Sequence, residues 1–125
     1  MTKNIPFQSK SIRTFIGAKD YKTSKSFYRD LDFQEVYLSS KMNLYKINEN
    51  LGFYLQDYYA KEWIENSMVF LEVDDIDTCY KNIMRKKLPT KYKGVRLSTI
   101  ITEEWGKEFF LHDPSGVLWH FGIFN

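Results

Sequence analysis

His112–Phe121 reads HDPSGVLWHF, and it organises the whole C-terminal half of the chain. Asp113-Pro114-Ser115-Gly116 is a tight-turn sequence. Pro fixes φ early in the turn, Gly supplies a positive φ, and Asp bonds the backbone just downstream. The run that follows, VLWHFGIF (117–124), is apolar except for His120. Alternation puts Val117, Trp119, Phe121 and Ile123 in one row, and Leu118, His120 and Gly122 in the other. The first row suits packing against helices; the second turns an imidazole toward the opposite side of the sheet. Before the turn, KEFFLH (107–112) reads as a strand, and before that VRLSTII (95–101) as another.

Further upstream, MVFLEV (68–73) reads as a strand followed by Asp75, an N-cap. Ile76, Cys79, Tyr80, Ile83 and Met84 then fall at i, i+3, i+4, i+7 and i+8, an amphipathic helix that Pro89 is expected to end. The same order occupies the first half. SIRTFIGA (11–18) is a strand, and Asp20 caps a helix with Tyr21, Ser24, Tyr28 and Leu31 at helical spacing and Phe27 beside them. FQEVYL, MNLYKI and LGFYLQ follow as short strands, with Asn48, Asn50 and Gly52 as turn residues. The pattern is βαβββ twice, with modules near 10–57 and 67–124 and a connection over 58–66. The fold class is α+β, a mixed sheet curled around a cavity, in one domain over 1–125.

Each strand sorts into an apolar row and a mixed row. The mixed rows carry Arg13, Phe15, Tyr54, Gln56, Met68, Phe70, Glu72 and His120. Facing a common concavity, they would give aromatic walls with a few polar groups, the make-up of a small-molecule pocket.

Three stretches carry a family likeness: SKSFYRDLDF, EVDDID and WGKEFFLHDPSGVLWHF. Together the chain resembles the vicinal oxygen chelate superfamily, the group of glyoxalase I, extradiol dioxygenases and bleomycin-resistance proteins. The likeness spans roughly residues 11–124. It implies paired βαβββ modules around a cavity, often in a dimer. Metal enzymes of that group hold a divalent ion through four side chains. Carried over position by position, these fall on Arg13, Tyr54 (or Gln56 on a two-residue slip), Met68 and His120. Arginine is a permanent cation without a lone pair, and methionine is a soft donor unsuited to Zn²⁺, Ni²⁺, Mn²⁺ or Fe²⁺. One good ligand, His120, does not hold a catalytic metal. The resemblance therefore implies the scaffold without its metal, and no other cofactor is expected.

Two readings of His120 stand. It is a satisfied pocket histidine bonded to Tyr54 or a backbone carbonyl, or it binds ligand or acts as a general acid/base, with Glu72 or Tyr54 as its partner. Arg13 and Glu72 are expected to pair across the vacated metal position, since a buried charge needs a partner. The competing reading leaves Arg13 to hold an anionic ligand such as a carboxylate. Trp105, where relatives place a Trp at the pocket mouth, either fills the core or stacks on ligand. Trp63, with Tyr58 and Tyr59 in the connection, either packs across a dimer interface or lids the pocket. His112 is read as structural, and Cys79 as a small buried apolar residue.

Composition narrows the function classes. With 18 basic and 16 acidic residues, net +2, the chain is too evenly charged to point to nucleic acid or an anionic membrane. The cluster Lys86, Lys87, Lys91, Lys93 and Arg96 reads as a solvated helix end, with steering of anionic ligands as a lesser alternative. A single cysteine excludes an intrachain disulfide and fits a reducing cytosol. No apolar run approaches a membrane span, so a soluble cytoplasmic protein is expected. No phosphate loop, GxGxxG, CxxC or HExxH is present. The expectation is a metal-free, homodimeric binder of a small aromatic or amphiphilic compound. The alternative is an enzyme: a lyase, isomerase or dioxygenase.

Overall fold

The first module of the computed structural model, which describes residues 7–125, comprises β1 (Phe15–Gly17), α1 (Tyr21–Asp30), β2 (Gln34–Ser39), β3 (Met42–Lys46) and β4 (Gly52–Gln56). A one-turn helix, α2 (Lys61–Ile64), interrupts the connection. The second module comprises β5 (Met68–Glu72), α3 (Ile76–Arg85), α4 (Leu88–Lys91), β6 (Arg96–Leu97), β7 (Ile101–Glu103), β8 (Gly106–His112) and β9 (Leu118–Phe124). Both long helices start at the expected caps. Asp20 accepts from the Thr23 N–H and Asp75 from the Thr78 N–H, each at 3.1 Å. These bonds satisfy orphan donors of the first turn and hold the Asp75 carboxyl below its ordinary range.

Two open sheets result. The N-terminal one has the order β1-β4-β3-β2, with β1 and β4 parallel. The C-terminal one has the order β5-β9-β8-β6, with β7 also on β8 and with β5 and β9 parallel. Each βαβββ module thus contributes its own mixed sheet, in keeping with the paired-module reading. Three boundaries differ. The first strand is shorter than 11–18, although the Thr14 carbonyl still accepts from the Tyr54 N–H at 3.0 Å and keeps the chain alongside β4. VRLSTII divides into β6 and β7, both paired to β8. Pro89 does not end α3. Lys87, in the left-handed region at φ 52°, turns the chain, and Pro89 opens α4, where a missing N–H costs nothing.

The core joins the modules. Tyr28 of α1 lies 5.0 Å from the Phe53 ring and 5.9 Å from Trp119 on β9, all three essentially buried. Fully burying a large apolar side chain stabilises by about 1.5–3 kcal/mol. A polar thread runs through the same region. Trp119 Nε1 donates to the Tyr28 hydroxyl at 3.0 Å, and that hydroxyl donates to Asp113 Oδ2 at 2.6 Å. Asp113 Oδ1 accepts from the N–H groups of Ser115, Gly116 and Val117, the bonding that the turn's composition predicts. Burial pushes the Asp113 carboxyl up and the Tyr28 phenol well up. The Asp113–Gly116 turn is therefore also the tie between the two halves.

The apolar rows face this core: Phe53 and Leu55 on β4, and Trp119 and Phe121 on β9. Their alternates form the open faces of the two sheets.

Candidate functional site

On the N-terminal open face, Phe15 is in register with Tyr54, and their rings are 4.9 Å apart. Arg13, two residues earlier and on the same side, donates from Nη1 to the Tyr54 hydroxyl at 3.1 Å, its guanidinium carbon 5.7 Å from the ring centre. Gln56 pairs in register with Gly17 and Met42. A Cβ on Gly17 would lie 2.4 Å from Ile64 Cδ1 and 2.8 Å from Trp63 Cζ3. The aromatic connection therefore packs directly on the first strand and walls one end of this face. Only a glycine admits that approach.

On the C-terminal open face, Phe70 is in register with His120, and Met68 with Leu118. Phe70 is 42 % exposed and is surrounded by rings: Trp105 at 5.7 Å, Phe124 at 5.7 Å and His120 at 6.1 Å. It rests on Gly122, where a Cβ would meet Phe70 Cζ at 2.6 Å. Trp105 and Phe124 pack against each other, their rings tilted by 48° with centres 5.2 Å apart, and are also exposed. Trp105 thus belongs to the open face and not to the core.

His120 is bonded neither to Tyr54 nor to a backbone carbonyl. Its Nδ1 lies 2.8 Å from Oε1 of Glu108, a carboxylate only 6 % exposed. Glu108 comes from β8, whose register sets Phe110 opposite His120 and Glu108 opposite Gly122. The pair therefore meets on the diagonal between the two strands. Phe110 packs edge-on to the imidazole at 4.9 Å. Glu103 of β7 lies in the neighbouring strand, and the nearby Glu108 carboxylate pushes the Glu103 carboxyl up. A carboxylate on Nδ1 fixes ring orientation and leaves Nε2 for a ligand or a proton.

The Arg13–Glu72 ion pair does not form. Arg13 bonds Tyr54 on one sheet, while Glu72 is exposed on the other, at the rim of a cleft lined by Ile47, Asn48 and Leu51. The cause is topological, because β1 and β5 are edge strands of different sheets. The sequence-identified residues thus gather into two clusters: Arg13, Phe15, Tyr54 and Gln56 on one face, and Met68, Phe70, Trp105 and His120 on the other. Among the described residues no ring contact or hydrogen bond joins the two faces.

The positions that hold a divalent ion in the metal enzymes of the resembling family do not fit one here. Arg13 places a permanent cation beside Tyr54 and Met68 is a soft donor, which leaves His120 as the one good donor of the set. Among the described residues no group of three or more His, Cys, Asp or Glu side chains is arranged around a common point as a metal site. Among the described residues no helix is long and apolar enough to cross a membrane.

Four residues of the C-terminal face, Glu103, Glu108, Phe110 and Phe124, are not singled out by sequence reasoning. Alternation within a single strand does not reveal a pairing that spans two. Counting outward from the Asp113–Gly116 turn gives the β8–β9 register, and that count places Glu108 beside His120.

No family model matches the chain, and no curated protein sequence does either. Solved structures match over nearly its whole length. A bleomycin-binding protein complexed with bleomycin superposes with a TM-score of 0.78 at 17 % identity, covering 94 % of this chain and 100 % of that one. The bleomycin-binding protein of bleomycin-producing Streptomyces verticillus, complexed with copper(II)-bleomycin, gives 0.76 at 18 % identity, covering all of both chains. A glyoxalase/bleomycin resistance protein from Catenulispora acidiphila gives 0.74 at 18 % identity over 94 % of this chain and 100 % of that one. The chain therefore has the glyoxalase/bleomycin-resistance fold, the architecture its resemblance to the vicinal oxygen chelate superfamily implies.

Proposed function

We propose that this protein binds a small aromatic or amphiphilic organic compound against its ring-lined sheet faces, without a resident divalent metal. The observation that carries this reading is the exposed cluster of Phe70, Trp105 and Phe124 beside the Glu108-oriented His120. Rings held in the open offer stacking area at little entropic cost, and one oriented imidazole gives directionality. Structures of the same fold that hold bleomycin support the reading, although fold alone does not fix a ligand.

In this reading the protein works as a homodimer in the cytoplasm. Met68, Phe70 and Phe124 leave apolar surface exposed on one open face and Phe15 on the other, surface that a second copy would cover. Arg13 and Lys46 lie on one face; the other carries Glu72 and the Glu103–Glu108 pair, with Arg96 at its β6 edge. A second copy that sets one face against the other would enclose a groove.

The test is a thermal-shift screen of aromatic compounds, with sedimentation analysis of the free protein. Saturable stabilisation without turnover, reduced by Trp105→Ala and His120→Ala, is the expected result. No stabilisation by any ring compound, or a strictly monomeric protein at high concentration, would contradict the reading. A second reading, an enzyme using His120 as general base, is favoured by one observation, the 2.8 Å Glu108 contact that orients the ring. It requires turnover that His120→Ala abolishes.

A further inference from the structure

Among the described residues Arg13 has no acidic partner, although its side chain is half-buried. One N–H is spent on a neutral phenol, at 3.1 Å, and Nε is buried with no hydrogen-bond partner. A guanidinium in that setting is under-satisfied, and a bond to an anion is the strongest one it can make. The surroundings favour an anion as well. The neighbouring strands place Gln34, Val36, Leu44, Lys46 and Gln56 on this face, all neutral or cationic. The carboxylate nearest in the register, Glu35, turns to the other side, where it takes the Tyr45 hydroxyl at 2.5 Å and Arg29 at 3.0 Å. Tyr54 stands beside the guanidinium and Phe15 packs on Tyr54, so the two rings offer a platform.

Resting on the ligand-binding reading, we infer that Arg13 anchors the carboxylate of an aromatic acid whose ring packs on Phe15 and Tyr54. For the N-terminal face the ligand class is thereby narrowed from ring compounds in general to aromatic carboxylates. The planar guanidinium suits a planar carboxylate, and Lys46 adds positive potential at longer range.

Calorimetric titration with benzoate, benzamide, benzylamine and inorganic phosphate tests this. Benzoate is expected to bind saturably, and its neutral isostere benzamide about 10- to 100-fold more weakly. Arg13→Gln should reduce benzoate to the benzamide level, while Arg13→Lys, which keeps the charge but not the fork, should fall between. Thermal unfolding of each free variant shows that it remains folded. NMR shifts confined to residues around Phe15 and Tyr54 place the ligand.

Equal affinity for benzoate and benzamide, or benzoate affinity unchanged in Arg13→Gln, would overturn the proposal. So would phosphate binding as tightly as benzoate, because the ring would then contribute nothing. An Arg13→Gln variant that dissociates the dimer without changing benzoate affinity would assign Arg13 to an interface instead. If benzamide or benzylamine binds and Phe70→Ala abolishes it, while benzoate shows no preference for Arg13, the anchor fails and the ligand-binding reading stands. If no ring compound binds anywhere, both fall.

Discussion

The two modules share a βαβββ plan and a common core, yet their open faces carry different chemistry. On the N-terminal sheet a cation is held against Tyr54, whose ring packs on Phe15, with no acidic group among its neighbours in register. On the C-terminal sheet an imidazole is held by a buried carboxylate beneath an exposed ring cluster. The buried rows explain why the plan survives such divergence. Phe53 and Leu55 on one sheet, and Trp119 and Phe121 on the other, use only one side of each strand. Alternation leaves the other side free to differ without disturbing the core.

If the core is truly shared, Trp119→Ala should lower stability by about 3–5 kcal/mol, read by urea denaturation, and both modules should still unfold in one transition. Two separate transitions would show that the halves are independent. Tyr28→Phe removes the donor to Asp113 and should cost about 1–3 kcal/mol in the same measurement. It should also change the alkaline limb of the stability profile. Tyr28 has its phenol raised in the folded state, so its contribution is complete below the unfolded value near pH 10 and is lost as pH rises above it. Wild-type stability should fall above about pH 10, with a shallower slope in Tyr28→Phe. An unchanged slope would remove Tyr28 from the tie between the modules.

Smaller changes separate the two faces. Gly122→Ala forces the Phe70 ring off its seat and should cost about 1–3 kcal/mol. It should alter binding on the C-terminal face only; a change in the affinity of ligands that need Arg13 would mean that the two faces are coupled. Glu108→Gln replaces a charge-assisted bond to His120 with a neutral one. The expected loss in stability is about 1 kcal/mol. The larger consequence should be weaker ligand binding on the ring cluster, measured by calorimetry.

Much of the architecture is legible in the sequence because it follows local rules. Asp20 and Asp75 cap their helices where the short polar side chain can reach the third N–H, and the Asp113 turn closes as its composition dictates. Alternation on β9 separates Trp119 from His120 correctly. What is not legible depends on relations between strands. Arg13 and Glu72 each fall in an open row, but the order of strands puts them in different sheets. Glu108 emerges only by counting across a hairpin, and the role of Gly122 only by knowing that Phe70 lies over it. The short helix α2 is hidden because a single turn with one buried residue, Ile64, has too little periodicity to register.

The claim that these faces work without a divalent metal is tested most directly by calorimetric titration of the metal-stripped protein with Zn²⁺, Ni²⁺, Mn²⁺ and, without oxygen, Fe²⁺. The account predicts no binding tighter than about millimolar for any of them. Stoichiometric tight binding, abolished by His120→Ala, would contradict it and make a metal-assisted enzyme the leading reading.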